Sequence, residues 1–101
     1  MTPIIASKRR EIAELCRLFH VRRLDVFGSA ARGTDFTEES DIDFLVEYGP
    51  EHAPGLREYF DLRDALSRLL EREIDLVEMS AIRNPYLRAE IEHSRQLLHA
   101  A

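Results

Sequence analysis

Apolar positions recur at two different periods along this chain, and the switches between them mark its elements. Ile5, Ile12, Leu15, Cys16 and Phe19 fall at helical spacing, which predicts an amphipathic helix over residues near 6 to 20. Val21 to Phe27 reads as a short strand stopped by Gly28, and Ser29, a good N-cap, predicts a short helix directly after it. Gly33 to Ser40 is polar and turn-rich, a loop. From Asp41 to Tyr48 the two kinds alternate. Asp41, Asp43, Leu45 and Glu47 share one side and Ile42, Phe44, Val46 and Tyr48 the other, the mark of a strand.

Gly49, Pro50, Pro54 and Gly55 mark a connection, after which Leu56, Tyr59, Phe60, Leu62, Leu66, Leu69 and Leu70 line one wide side of a helix ending near Glu71. Glu73 to Met79 predicts a third strand, with Ile74, Leu76 and Glu78 alternating against Asp75, Val77 and Met79. Asn84-Pro85 has the form of a cap followed by proline at the first helical position. Leu87, Ile91, Leu97 and Leu98 give this last helix its apolar side, with Ser94 falling inside the stripe. The order helix, strand, short helix, strand, helix, strand, helix implies a small sheet with helices packed on it, of the α/β or α+β class. The piece from Asp41 to Met79 predicts two parallel or near-parallel strands joined by a right-handed crossover.

At 101 residues the chain has room for one domain, residues 1–101, and a modest core. A net charge of −5 gives no general attraction to nucleic acid or to an anionic membrane, so neither is expected as a direct partner. Lys8 is the only lysine, and the arginines that make up the other basic residues suit bidentate contacts to carboxylate or phosphate. Cys16 is the single cysteine, which excludes an internal disulfide. No charged-then-apolar leader is evident, and no apolar run approaches the roughly 20 residues that span a bilayer. A cytoplasmic location is the expectation.

The candidate chemistry begins with Asp41 and Asp43. Two residues apart on a strand, their carboxylates leave the same face about 7 Å apart along the chain. Carboxylates that close repel unless a cation lies between them, and oxygen donors at this spacing suit Mg²⁺. Asp75 lies on a later strand. If it points the same way, three carboxylates converge, enough for two metal ions in an in-line phosphoryl displacement. An EF-hand starting at Glu39 or Asp41 fails, because its sixth position would be Phe44 or Val46 rather than glycine. Gly28-Ser29 adds the second part. A strand that stops at glycine and turns into a helix start exposes N–H groups and lets backbone approach a phosphate closely. No P-loop pattern is present. Arg32, three residues past Ser29 on the same helical side, is placed to reach a phosphate. His20, His52, His93 and His99 show no metal-ligand spacing, and Tyr48, Tyr59 and Tyr86 read as core or rim residues.

Together, Gly28-Ser29, Asp41-Ile42-Asp43 and Asp75, set in "LDVFGSAARG", "ESDIDFLVEY" and "EIDLVEMSAIRNPYLRAEIE", resemble the nucleotidyltransferase superfamily related to DNA polymerase β. The similarity is to its smallest branch, the minimal nucleotidyltransferase (MNT) domains, and covers most of the chain. The resemblance implies a polymerase β palm-like fold, a small mixed sheet flanked by helices. It implies that Gly28 and Ser29 bind a nucleoside triphosphate, that Asp41 and Asp43 hold the Mg²⁺ ions, and that Asp75 completes the metal site and favours deprotonation of an acceptor hydroxyl. Eleven residues separate Ser29 from Asp41 where the usual MNT pattern has ten. The extra residue falls in the polar loop, where it leaves the strand register intact. Glu38 and Glu39 in that loop must then point to solvent.

The chain has no basic aromatic patch to grip RNA, so the acceptor is expected to arrive on another protein. The resemblance implies ATP as nucleotide substrate and, as partner, a HEPN-type toxin that the MNT antitoxin adenylylates on a tyrosine hydroxyl. Two alternatives stay open at this point: a non-catalytic antitoxin that masks its partner, and a transferase acting on a small hydroxylated molecule. Homo- or hetero-oligomers are compatible with either.

Overall fold

The computed structural model describes residues 1–50 and 54–101, so His52 lies outside the described residues. Four strands form one sheet: β1 Val21–Phe27, β2 Ile42–Tyr48, β3 Ile74–Glu78 and β4 Gln96–Ala100, in the order β3-β2-β1-β4. The sheet is mixed. β1 runs antiparallel to β2 and β4, while β2 and β3 are parallel, as the crossover pattern predicts. The helices are α1 Pro3–Ala6, α2 Arg9–Leu18, α3 Ser29–Arg32, α4 Leu56–Leu70 and α5 Pro85–Ser94, with a 3₁₀ turn at Met79–Ala81 before α5.

Alternation along the strands divides the core in two. Leu24, Val26, Ile42, Phe44, Val46, Ile74 and Leu76 face one side, where they pack with Ile5, Ile12 and Cys16 of α1 and α2 and with Leu62, Leu66 and Leu70 of α4. Phe27 and Leu45 face the other side, under Ile82 and Ile91. The second cluster is small because the remaining positions of that face are polar, and it is on that face that the aspartates stand. Tyr59 of α4 donates its hydroxyl hydrogen to the Leu76 carbonyl, tying α4 to the edge strand β3.

Two expectations need correction. The first helix is broken into α1 and α2, and the Ser7 hydroxyl donates to the Ile4 carbonyl at the break, a local side-chain bond that competes with helix continuation. The last helix stops at Ser94, and Leu97 and Leu98 belong to β4 instead. β1 would otherwise present an unpaired edge, and filling that edge satisfies more backbone groups than another helical turn would. Asn84 caps α5 as predicted, accepting the Tyr86 N–H at 2.9 Å. Among the described residues no helix is long and apolar enough to cross a membrane.

One charge is fully buried in the sheet. Asp25 of β1 is 0% exposed, with Oδ1 2.9 Å from Arg23 Nε and Oδ2 2.6 Å from Arg95 Nε. Arg95 reaches Glu92 as well, at 2.8 Å. Burial on its own would raise the Asp25 carboxyl, and the Arg23 and Arg95 guanidiniums outweigh it, holding the group below its ordinary 3.8. A depressed native pKa contributes stability above the unfolded-state value and loses it as the pH falls through the native one. Asp25→Asn is therefore expected to lower stability at neutral pH by about 3 kcal/mol, by removing the buried charge that Arg23 and Arg95 share. The deficit should shrink as the pH falls below the unfolded-state value of about 4 and on through the lower native one. Urea unfolding of both proteins at the two pH values checks this. A deficit that grows on acidification would contradict it.

Candidate active site

β1 ends at Phe27, and the chain then turns through Gly28 with φ 71° and ψ −150°, a region open essentially to glycine alone. Its carbonyl accepts the Ala31 and Arg32 N–H groups, which makes Gly28, not Ser29, the N-cap of α3. The Gly28 N–H donates to Ser94 Oγ at 3.0 Å. So this amide, expected to be free for an anion, is already satisfied. Among the described residues the N–H of Ser29 makes no hydrogen bond, and with Ala30 0% exposed it is the donor left at this turn.

Strand register decides where the carboxylates go. Asp43 lies opposite Phe27 on β1 and opposite Asp75 on β3. Directly opposed residues of neighbouring strands project to the same face, so Asp43 and Asp75 stand side by side next to the turn. Asp41, two residues earlier, shares that face by alternation. A Cβ built on Gly28 would come within 2.5 Å of Asp43 Oδ2, so only glycine lets the turn and the carboxylate come this close.

The electrostatics agree with the geometry. Asp43 is half-buried and its carboxyl is pushed up to about 6, first by burial and then by the negative charges of Asp75, Asp41 and Glu90, with Arg32 opposing. Asp41 and Asp75 are exposed. Among the described residues no three His, Cys, Asp or Glu side chains gather closely enough to hold a metal ion. The backbone thus brings the three aspartates to one face without drawing their oxygens into one cluster. The donor set still fits Mg²⁺: hard carboxylate oxygens on one surface, with a central member whose repulsion a divalent cation would relieve.

Arg32 is exposed and its guanidinium is engaged by Asp35, with Nη2–Oδ2 at 2.7 Å. A solvated surface pair of this kind is weak, so a phosphate can compete for the arginine. The loop between α3 and β2 is held by a residue the sequence pattern does not single out. Arg72 Nη2 donates to the carbonyls of Thr37 at 2.5 Å and Ser40 at 2.6 Å, and the guanidinium lies 4.4 Å from the Phe36 ring centroid. Glu38 and Glu39 are exposed, as required. Ser94 and Glu90 of α5 were not expected at the site. Ser94 carried a visible signal, a polar residue inside an apolar stripe, and Glu90 carried none.

The nucleotidyltransferase domain family matches residues 9–98 of this chain. The protein adenylyltransferase MntA of Thermococcus cleftensis is 36% identical over 81 residues, 80% of this chain and 76% of its own length. A chain of the crystal structure of a toxin–antitoxin with AMP-PNP shares the fold, with a TM-score of 0.73 at 22% identity over 92% of this chain and 73% of that one. So does a chain of the tri-AMPylated Shewanella oneidensis HEPN toxin in complex with an MNT antitoxin. There the TM-score is 0.69 at 18% identity, over 95% of this chain and 72% of that one.

Gly28 and Gly33 both adopt positive φ, yet only Gly28 meets a neighbour, since a Cβ on Gly33 would find nothing within 4 Å. Gly33→Ala is expected to cost about 1 kcal/mol, the backbone penalty, and Gly28→Ala roughly 2–3 kcal/mol, because the methyl also displaces Asp43. Denaturant unfolding of the two variants gives the ranking, and the reverse order would contradict the packing described.

Proposed function

This chain belongs to the nucleotidyltransferase domain family, and from that premise we propose that it transfers AMP from ATP to a tyrosine hydroxyl of a partner HEPN-type toxin, residues 1–101 acting as one catalytic domain. The observation that carries the reading is the register that places Asp43 between Phe27, at the end of the strand leading into the Gly28-Ser29 turn, and Asp75. Triphosphate chemistry needs donors for phosphate and acids for its metal on one surface, and this register supplies both. The 36% identity to a protein adenylyltransferase supports protein as the acceptor class. AMP-PNP in one fold neighbour and an AMPylated toxin in another support ATP and a toxin hydroxyl.

In this mechanism the Ser29 N–H and hydroxyl bind phosphate oxygens, and Arg32 leaves Asp35 to join them. Asp41, Asp43 and Asp75 would hold Mg²⁺, as one or two ions, which when bound polarises the α-phosphoryl group and stabilises the departing pyrophosphate. The acceptor oxygen forms a bond to the α-phosphorus as the bond to the bridging oxygen breaks. In this reading Asp75, exposed at the edge strand, takes the acceptor's proton. β3 is the edge strand of the sheet, and in this reading a partner protein brings its hydroxyl to the carboxylates from that edge.

A masking antitoxin without catalysis is the second reading. It is favoured by the Gly28 N–H already bonded to Ser94 and by carboxylates that do not cluster. Incubation of the partner toxin with the chain and MgATP, followed by intact mass measurement, separates the two. The parent chain is expected to add one or more AMP units to the toxin. Asp43→Asn or Asp41→Asn is expected to slow transfer roughly a hundredfold or more. A toxin neutralised with unchanged mass would favour masking, and an Asp43→Asn chain as fast as the parent would remove the carboxylates from the mechanism.

A further inference from the structure

Ser94 does something at the site that no motif assigns. It sits at the end of α5, 8% exposed, and its hydroxyl makes two bonds: it accepts the Gly28 N–H at 3.0 Å and donates to the Glu90 carbonyl at 3.1 Å. The donation fixes the direction of the lone pair that meets Gly28. Gly28 is thereby held from two sides, by this hydroxyl on its nitrogen and by the Asp43 carboxylate against its α-carbon. Its φ and ψ are open to glycine alone, so these two contacts select among the many conformations that glycine can adopt.

We propose that Ser94 is a positioning residue for nucleotide binding: its hydroxyl sets the Gly28-Ser29 turn so that the N–H and hydroxyl of Ser29 face the phosphates at a fixed distance from Asp43. The inference rests on the phosphate site of the proposed function. The device also anchors the C-terminal part of the chain to the site, since Arg95, the next residue, closes on Asp25 and β4 follows directly. Removing the hydroxyl leaves a buried N–H unsatisfied at the one turn that must stay rigid. The turn then relaxes, and the loss appears in nucleotide affinity more than in the rate of transfer once nucleotide is saturating.

The test is the affinity for AMP-PNP with Mg²⁺, by titration calorimetry, of the parent chain and of Ser94→Ala, Ser94→Cys and Ser94→Thr, with melting curves for each. Ser94→Ala is expected to bind about tenfold more weakly, the equivalent of one lost hydrogen bond. Ser94→Cys, nearly the same shape with a poor acceptor, should follow it, which keeps the test decisive if the alanine variant unfolds. Ser94→Thr, which keeps the hydroxyl, should bind within about twofold of the parent. In the transfer assay the loss should fall on the KM for ATP with kcat nearly unchanged. A folded Ser94→Ala or Ser94→Cys chain that binds as tightly as the parent overturns the inference. A parent chain that binds AMP-PNP but transfers nothing overturns the transfer reading alone, and one that does not bind it at all overturns both.

Discussion

The lateral pairing of Phe27, Asp43 and Asp75 across β1, β2 and β3 is the constraint on which the site depends. Side chains alternate along a strand with a period of two, so a slip of one residue in either pairing would turn a carboxylate to the opposite face. That slip is resisted by the far side of the sheet, where Val26, Phe44 and Leu76 would be driven out of the larger core. The apolar face therefore holds the acidic face in register. Placement of the three aspartates follows from burial of residues on the opposite face of the sheet.

The acidic face is correspondingly poor in stabilising contacts. Asp43 is half-buried among like charges with its carboxyl raised to about 6, an arrangement that opposes folding and favours any cation that binds there. Glycine is required at position 28 for conformation and for room. What holds this face is at its other end: the Asp25–Arg95 pair and the small cluster of Phe27, Leu45, Ile82 and Ile91 under α5. The stabilising pair and the candidate site are thus separated along β1, with the paired aspartate in the middle of the strand and the Gly28-Ser29 turn at its end. Ser94 and Arg95, adjacent in sequence, connect the two.

Much of this was legible in the chain itself. The alternation from Asp41 to Tyr48 defines β2 and its two faces, because one face is apolar and buried and the other is not. The Gly28-Ser29 and D-x-D pieces are readable because phosphate and metal chemistry restrict which residue types serve. The element at Leu97-Leu98 was misread because two leucines after an apolar stripe extend a helical pattern as readily as they begin a strand. The choice was made by the open edge of β1, which local sequence does not encode. Arg72, Glu90 and the roles of Arg23 and Arg95 depend on contacts across as many as 70 positions, beyond any local spacing rule. Ser94 lay between these cases, an odd residue in a stripe whose partner only the fold reveals.

The central claim is that one surface holds both the triphosphate and its metal, between the turn at Gly28 and the aspartates of β2 and β3. Its most direct test is a crystal structure of the chain with AMP-PNP and Mn²⁺, located by anomalous scattering. The expected result is an anomalous peak coordinated by Asp43 together with Asp41 or Asp75, with phosphate oxygens on the N–H and hydroxyl of Ser29. Nucleotide and metal bound at another surface, with Asp43 uncoordinated, would contradict the account.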